Sequence, residues 1–281
     1  MVNDSLIDEL IDLAIREDIG DGDHTSLACI PESIVGKAKL LVKDEGIIAG
    51  IAIAKKIFYK FDPSLSFTKI IEDGSLIKKG DIAFYVEGKS ISILQCERLV
   101  LNIMQRMSGV ATQTNAYVKK LEGLKTKVLD TRKTTPGMRI LDKMAVKLGG
   151  GENHRIGLYD MILIKDNHID FAGGIENAIF AVKAYLKKTK KDLKIEVEAR
   201  SLNDIQKILS IGGIDRILID NFSLEETRKA VQLIGDKCET ESSGGITIDT
   251  LRDYAACGVD YISVGALTHQ IKSLDLSLKA V

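Results

Sequence analysis

The chain is poor in cysteine and has no excess of charge of either sign. Its cysteines form no CxxC pair and lie far apart in the sequence: Cys29, Cys96, Cys238 and Cys257. This spacing favours free thiols in a reducing cytosol over disulfides. Lysine and arginine together number 39, against 40 aspartates and glutamates, so the net charge is −1. That balance excludes a global basic surface for nucleic acid, and any anion-binding site must be local.

Long apolar runs are absent as well. No stretch approaches the roughly 18 consecutive apolar residues that a membrane-spanning helix needs. The N-terminal segment is acidic and amphipathic, and it lacks the basic-then-apolar pattern of a secretion signal. The sequence therefore predicts a cytoplasmic protein without a membrane partner.

Two different patterns divide the chain. The first 90 or so residues combine helical stretches with short strand-like runs and glycine turns, which predicts a small α+β domain. After Gly123, short apolar runs alternate with helical segments, which indicates βαβ units and parallel strands. The predicted strands are Lys127–Leu129, Ala145–Leu148, Met161–Ile164, Lys194–Val197, Arg216–Ile219, Cys238–Thr240 and Tyr261–Val264. Seven such strands favour a barrel or a near-closed relative, and an open doubly wound sheet is the alternative.

Polar groups follow all of these predicted strands except the second. In a parallel barrel the carboxyl ends of the strands meet at one mouth, where active sites lie. The placement of the polar groups thus favours the barrel, and it makes the mouth the candidate active site.

A cluster of basic side chains is expected at this mouth. Its members follow strand ends or a glycine turn: Arg132, Lys133, His154, Arg155 and Lys165. Such a cluster repels itself unless it faces solvent or an anionic ligand. Arginine matches a carboxylate or phosphate with a planar fork, and lysine supplies a compact point charge. The cluster predicts a pocket for a small polyanion, with a solvated basic face as the alternative.

Two carboxylates and two glycine turns complete the candidate site. Glu198 and Asp220 end neighbouring strands, and carboxylates beside a phosphate site are typical of bound Mg²⁺ or ribose. A general acid/base pair and salt bridges to the nearby lysines are the alternatives. The late loops that carry Ser243, Gly244 and Gly245, and then Gly265 and Ala266, predict a phosphate site, and a helix start near Thr247 would add partial positive charge.

Several motifs then occur together in one order. They are Asp130-Thr-Arg-Lys-Thr-Thr-Pro-Gly137, Gly149-Gly-Gly-Glu-Asn-His-Arg155, Leu163-Ile-Lys-Asp-Asn-His168, Glu196-Val-Glu198, Asp220-Asn221, Glu241-Ser-Ser-Gly-Gly245 and Val264-Gly-Ala-Leu-Thr268. Together they resemble the quinolinate phosphoribosyltransferases, also called decarboxylating nicotinate-nucleotide pyrophosphorylases. The resemblance runs from about residue 5 to the C-terminus and includes Glu97-Arg98 and Ser108-Gly-Val-Ala-Thr112.

The resemblance implies a fold and a reaction. The fold would be an N-terminal α/β sandwich over residues 1–110 and an open seven-stranded, TIM-like α/β barrel over residues 111–269. Residues 270–281 would pack back on the first domain. The enzyme would join quinolinate to 5-phosphoribosyl-1-diphosphate with Mg²⁺, yielding nicotinate mononucleotide, diphosphate and CO₂ in NAD biosynthesis.

The resemblance also implies roles for individual residues. Arg132, His154, Arg155 and Lys165 would hold the two quinolinate carboxylates, and Arg98 would reach the same site from the partner of a homodimer. Lys133, Glu198 and Asp220 would serve the phosphoribosyl diphosphate, with Glu198 and Asp220 binding Mg²⁺ directly or through water. The 5-phosphate would lie on Ser243, Gly244, Gly245, Gly265 and Ala266. Lys165 is the candidate that assists decarboxylation, because a cation there could orient the carboxylate that leaves.

Three other interpretations stay open. A related transferase could use another acidic acceptor such as nicotinate, although the cation cluster suits a dicarboxylate. A Schiff-base aldolase could use Lys133 or Lys165 at a barrel strand end, but the carboxylate pair and the phosphate loops would then lack a joint purpose. A phosphosugar-binding protein without catalysis would not need every charged residue of the cluster.

Overall fold

The computed structural model describes residues 2–281, with side chains from residue 4 onward. These residues form two compact units, each assembled from separate segments of the chain. The first comprises Met1–Asn115, Thr134–Gly150 and Leu267–Val281, and the second comprises Ala116–Lys133 and Gly151–Ala266.

Helices and strands cover most of the described chain. The helices are α1 (Val2–Ile19), α2 (His24–Cys29), α3 (Ile51–Phe61), α4 (Ser90–Lys120), α5 (Arg139–Leu148), α6 (Asp166–Phe171), α7 (Ile175–Thr189), α8 (Leu202–Ile211), α9 (Leu224–Ile234), α10 (Leu251–Ala255) and α11 (Ala266–His269). The strands are β1 (Val35–Val42), β2 (Gly46–Ile47), β3 (Ser66–Lys69), β4 (Leu76–Ile77), β5 (Ile82–Lys89), β6 (Lys127–Leu129), β7 (Ile162–Ile164), β8 (Ile195–Ala199), β9 (Arg216–Asp220), β10 (Glu239–Ser243), β11 (Tyr261–Ser263) and β12 (Leu276–Ala280). Within the described residues, no helix is both long and apolar enough to cross a membrane.

An antiparallel sheet in the order β12-β1-β5-β3 forms the centre of the first unit. Strand β1 alternates, and its Ala38, Leu40 and Val42 are buried on one face, as the twofold period of a strand requires. The last strand, β12, pairs with β1 over Leu276–Ala280. An aromatic cluster fills the core below the sheet, with the ring centroids of Phe67 and Phe84 4.5 Å apart.

Helix α4 runs without interruption through Ser108 and Gly109, a pair that often breaks helices. The Ser108 hydroxyl is buried and accepts a hydrogen bond from the Ala49 amide at 2.9 Å. A side chain at position 109 would collide with the Lys272 carbonyl, so only glycine fits there. Both residues are therefore packing adaptations inside one long helix.

The second unit contains a parallel sheet in the order β6-β11-β10-β9-β8-β7. Strand β6, the first of this sheet along the chain, pairs with β11, the last. On its other edge, β6 forms one isolated parallel bridge from Leu129 to Glu152. This order is consistent with an α/β barrel that stays open between β6 and β7. Helices α8 and α9 connect its strands, and Ser201 and Ser223 begin them by accepting hydrogen bonds from the amides of Asp204 and Glu226.

Six strands occur among the described residues of this sheet, whereas seven were predicted. The predicted strand Ala145–Leu148 is wrong, because these residues form the second half of α5. Leu141, Ala145 and Val146 are buried together on one face of that helix. A run of four residues, three of them apolar, is too short for its period to separate a buried strand from a helix. The other six predictions match β6 to β11; the ends of β6 are as predicted, and those of the other five strands are shifted.

One buried ion pair lies within the first unit. Arg106 on α4 donates two hydrogen bonds of 2.9 Å to the carboxylate of Asp142 on α5, and a third of 3.0 Å to the Thr268 carbonyl. The Asp142 side chain is 0% exposed and that of Arg106 is 21% exposed. Burial raises the pKa of Asp142, and the Arg106 guanidinium opposes that rise. Removing the arginine would leave a buried carboxylate without its partner.

We expect Arg106→Met to lower the free energy of unfolding by about 3–5 kcal/mol, the typical cost of breaking a buried pair from one side. Urea unfolding followed by circular dichroism measures this loss.

A matched pair in the chain supplies the control. Arg200 also donates two hydrogen bonds to one carboxylate, that of Asp170, but the two side chains are 46% and 60% exposed. Arg200→Met should therefore have little effect. The double variant Arg106→Met/Asp142→Leu should recover most of the loss. Equal destabilisation by the two arginine variants would refute the importance of burial.

Candidate active site

A cavity of about 310 Å³ lies at the carboxyl ends of the parallel strands in the second unit. It is lined by Thr131, Arg132, Lys133, His154, Arg155, Leu163, Lys165, Asp166, Glu198, Leu218, Asp220, Glu241, Ser243 and Ser263. The lining includes all five members of the predicted cation cluster and both predicted carboxylates. The parallel strands deliver these groups to one place because their carboxyl ends share one edge of the sheet.

A buried carboxylate joins the two loops that carry most of the cations. Asp130, directly after β6, is fully buried and accepts a hydrogen bond of 2.9 Å from the His154 amide. The Asp130 amide donates to the Glu152 carbonyl, and the Glu152 amide donates to the Val128 carbonyl. These bonds hold residues 152–155 against the end of β6. Arg132 and Arg155 thereby reach the same cavity although they are far apart in sequence.

The arginines of the cavity are half-buried and close enough to affect one another. The Arg132 Nε is buried and has no hydrogen-bond partner among the described residues. Burial lowers the pKa of Arg155, and the charge of Arg132 lowers it further. Two arginines in this arrangement are stabilised by an anion bound between them.

The two lysines of the cluster lie at the exposed rim of the cavity. Lys165 follows β7 at the start of α6, and its backbone amide donates to His168 Nδ1 at 2.9 Å. Lys133 follows Arg132 after β6, and its amide donates to the Thr131 hydroxyl at 3.0 Å. The backbones of both lysines are thus held in place beside the cavity.

The predicted metal-binding carboxylates face the same cavity from neighbouring strands. Burial raises the pKa of Glu198, and the negative charges of Asp220 and Asp166 raise it further. This mutual repulsion is relieved by a cation with affinity for oxygen ligands. The residues present therefore fit a Mg²⁺ ion held by Glu198 and Asp220.

The predicted phosphate turn follows β10. Ser243 ends the strand and lines the cavity, and Gly244 and Gly245 follow with φ of +99° and +60°. The positive φ values turn the chain sharply, so these positions favour glycine. The helix predicted near Thr247 begins only at Leu251 and has five residues, so its dipole lies too far away and is too weak to assist. The backbone amides of the turn are the remaining candidate donors to an anion. Gly265 and Ala266 follow β11 beyond the residues that line the cavity.

A polar floor below the cavity was missed by sequence reasoning. His154 Nε2 lies 2.9 Å from Glu196 Oε2 and 3.5 Å from Glu241 Oε2. Arg216 Nη1 donates to Glu241 Oε2 at 2.9 Å. Burial raises the pKa of both glutamates well above the usual range, and Glu196 adds to the rise at Glu241 by charge repulsion. The pair can therefore retain a proton near neutral pH.

The histidine of this floor has protein partners at both ring nitrogens. His154 Nδ1 accepts a hydrogen bond of 2.7 Å from the Arg155 amide, which leaves the proton on Nε2, facing Glu196. The ligand atoms of His154, Glu196 and Glu241 lie within 4.8 Å of one another. Both carboxylate oxygens of Glu196 and Oε1 of Glu241 are buried and have no hydrogen-bond partner among the described residues, so the floor is held by charge contacts rather than by a complete hydrogen-bond network. A direct bond from His154 to a substrate carboxylate requires it to exchange one of these partners.

The alternation of residues in β8 could have predicted part of this floor from the sequence. Strand β8 reads Ile-Glu-Val-Glu-Ala and all five residues are buried. Alternate residues of a strand share a face, so Glu196 and Glu198 point to the same side. A carboxylate one pleat below a predicted ligand is therefore a candidate for the supporting layer.

Arg98 is not among the residues that line the cavity. It lies exposed on α4 in the first unit. Its predicted role depends on a partner subunit.

Comparison with known proteins identifies the family. The model of the quinolinate phosphoribosyl transferase N-terminal domain matches residues 23–108, and that of the C-terminal domain matches residues 110–279. Quinolinate phosphoribosyltransferase [decarboxylating] 1b of Nicotiana tabacum is 44% identical over 285 residues, which cover 96% of this chain and 81% of the relative. A probable nicotinate-nucleotide pyrophosphorylase [carboxylating] of Bacillus subtilis is 40% identical, covering 99% of this chain and 94% of the relative.

Comparison with solved structures gives the same family. The crystal structure of NadC from Streptococcus pyogenes superimposes with a TM-score of 0.92 at 38% identity, covering 98% of this chain and 97% of that one. Similarity of this extent covers both units and all the motifs at the cavity. The chain belongs to the quinolinate phosphoribosyltransferase family.

Proposed function

We propose that the chain transfers the phosphoribosyl group of 5-phosphoribosyl-1-diphosphate to quinolinate, with loss of CO₂, and so forms nicotinate mononucleotide for NAD biosynthesis. The observation that carries the proposal is the composition of one cavity. Arg132, Arg155 and Lys165 form a cationic wall, and Glu198 and Asp220 lie across neighbouring strands beside the Ser243 turn. One wall suits a dicarboxylate and the other a phosphosugar with its metal.

The cationic wall orients the acceptor. Quinolinate carries two adjacent carboxylates, and two arginines and a lysine supply the charges and the planar forks that bind them. His154 completes this wall from the polar floor. When the carboxylates are held, the ring nitrogen faces the anomeric carbon of the other substrate. The nitrogen is itself the nucleophile, so positioning supplies much of the rate.

The opposite wall serves the phosphoribosyl donor. Lys133 would neutralise charge that gathers on the diphosphate as the anomeric C–O bond breaks. Glu198 and Asp220 would hold Mg²⁺, directly or through water, and the bound ion supplies electrostatic stabilisation of the leaving diphosphate. The amides around Ser243, Gly244 and Gly245, with Gly265 and Ala266, would bind the 5-phosphate.

Loss of the 2-carboxylate leaves an electron pair beside a cationic ring nitrogen, so the ring itself stabilises that step. The role proposed for Lys165 is to orient the carboxylate that leaves. We further propose a homodimer in which Arg98 of each subunit reaches the cavity of its partner. Cytoplasmic location stays a prediction.

Of the predictions that follow from the proposed function, the first concerns the reaction itself. Incubation with quinolinate, phosphoribosyl diphosphate and Mg²⁺ should give nicotinate mononucleotide and CO₂, and EDTA should stop it. Nicotinate as the parallel acceptor should give no product. Product from nicotinate alone would assign another acceptor, and no product from either would refute the proposed function. Borohydride trapping of a carbonyl substrate would instead indicate a Schiff-base aldolase.

The second prediction concerns Lys165. Lys165→Ala should weaken quinolinate binding and also lower turnover by about 100-fold, the typical effect of losing one well-placed electrostatic group. Steady-state kinetics separates the two effects. Lys188→Ala, at an exposed position of α7, is the control and should behave like the unmodified protein. Intact turnover with weakened binding would remove Lys165 from the decarboxylation step.

The third prediction concerns Arg98. Arg98→Ala and Lys165→Ala should each be nearly inactive alone, and dimers mixed by co-expression should regain activity. In a mixed dimer the Lys165 of one subunit meets the Arg98 of the other, so one complete site is rebuilt.

Mixing Lys133→Ala with Lys165→Ala is the matched control. Both residues belong to the cavity of one subunit, so their mixed dimers contain no complete site. Failure of the Arg98 mixture to recover, with mixed dimers present, would place Arg98 outside the partner's site.

A further inference from the structure

Asn221 has an unusual backbone conformation at the edge of the cavity. Among the described residues other than glycine, only Lys190 and Asn221 have positive φ, at +54° and +57°. Asparagine tolerates this left-handed region better than most residues, but it still costs free energy there. Lys190 simply ends α7. Asn221 instead follows Asp220, the proposed metal-binding carboxylate, so its strain lies where function is concentrated.

Asn221 contacts both the Asp220 carboxylate and the turn that follows β10. Its side-chain amide donates to Asp220 Oδ2 at 2.6 Å. Its backbone amide donates to the Ser243 carbonyl at 3.0 Å. One residue is thus bonded to the carboxylate on one side and to the phosphate turn on the other.

The approach of the turn to Asn221 is close. A Cβ at Gly244 would collide with Asn221 Oδ1 and would lie 2.8 Å from the Asn221 backbone nitrogen. Gly245, by contrast, faces open space. The chain at Gly244 therefore packs directly against Asn221, whose side chain lies between this turn and the Asp220 carboxylate.

We infer that Asn221 is a positioning residue that fixes the span between the Asp220 carboxylate and the Ser243–Gly245 turn, and so sets the fit for a ligand with a phosphate at one end and a metal-bound diphosphate at the other. The inference rests on the proposed function, because phosphoribosyl diphosphate is the ligand that occupies both ends. Asn221 touches neither quinolinate nor the cationic wall in this scheme. Its loss should therefore weaken one substrate and spare the other.

A purely structural role predicts a different pattern. If Asn221 only completed a turn, its replacement would lower stability, and both substrates would bind more weakly. Asn221→Gly separates the two roles, because glycine keeps the left-handed backbone without strain and removes only the side-chain amide. Asn221→Asp is the second variant, since it keeps size and left-handed tolerance but cannot donate to Asp220.

The experiment uses the full chain and isothermal titration calorimetry. Phosphoribosyl diphosphate with Mg²⁺ and quinolinate are titrated separately, and the melting temperature is recorded for each variant. We expect Asn221→Gly and Asn221→Asp to bind phosphoribosyl diphosphate about tenfold more weakly, the effect of one hydrogen bond to a charged group. Quinolinate affinity and the melting temperature of Asn221→Gly should be unchanged. Lys190→Gly, which relieves the same backbone conformation away from the cavity, should change neither affinity.

Unchanged affinity of both Asn221 variants for phosphoribosyl diphosphate would overturn the inference. Parallel weakening of both substrates, with a lower melting temperature, would also overturn it in favour of a structural role. If the unmodified protein fails to bind phosphoribosyl diphosphate, the proposed function itself is wrong. That result differs from the other two, because it precedes any comparison of variants.

Discussion

The hydrogen bond from the His154 amide to the buried Asp130 carboxylate holds together the two loops on which the cavity depends. Together with the backbone bonds between Glu152 and the end of β6, it places the segment that carries Arg155 beside the segment that carries Arg132. The bond lies in the interior, where a polar group gains most from a partner and loses most without one. The arrangement of the charged side chains in the cavity therefore depends on a buried hydrogen bond beneath them.

Charge of both signs is then divided between the walls of one cavity. The charge of Arg132 lowers the pKa of Arg155, and the charge of Asp220 raises the pKa of Glu198, so like charges repel each other within each wall. Bound anions relieve the first wall, and a cation relieves the second. Groups of like charge are thus held close together before any ligand arrives, an arrangement that favours ligands of opposite charge.

The polar floor and the turn after β10 show how the sheet positions side chains at and below the cavity. Glu196, Glu241 and Arg216 fill the interior one pleat below the ligand-binding level and hold His154 in one orientation. Asn221 performs a similar task at the rim, where its left-handed backbone joins the end of β9 to the turn after β10. Groups on neighbouring strands thereby keep fixed distances that isolated loops would not maintain.

The sequence by itself determined the parallel α/β class of the second unit, the strand ends that carry chemistry and the members of both charged walls. Local periodicity and strand-end position suffice for these features, because alternate residues of a strand share a face and parallel strands share an edge. It did not determine the secondary structure of Ala145–Leu148, because three apolar residues and a lysine fit a short strand or a helix equally well; in the structure they form a helix that buries Leu141 on the same face. Only the tertiary structure decided the hydrogen bond between Asp130 and the His154 amide, the buried polar floor and the contact of Gly244 with Asn221. Each of these depends on contacts between segments distant in sequence.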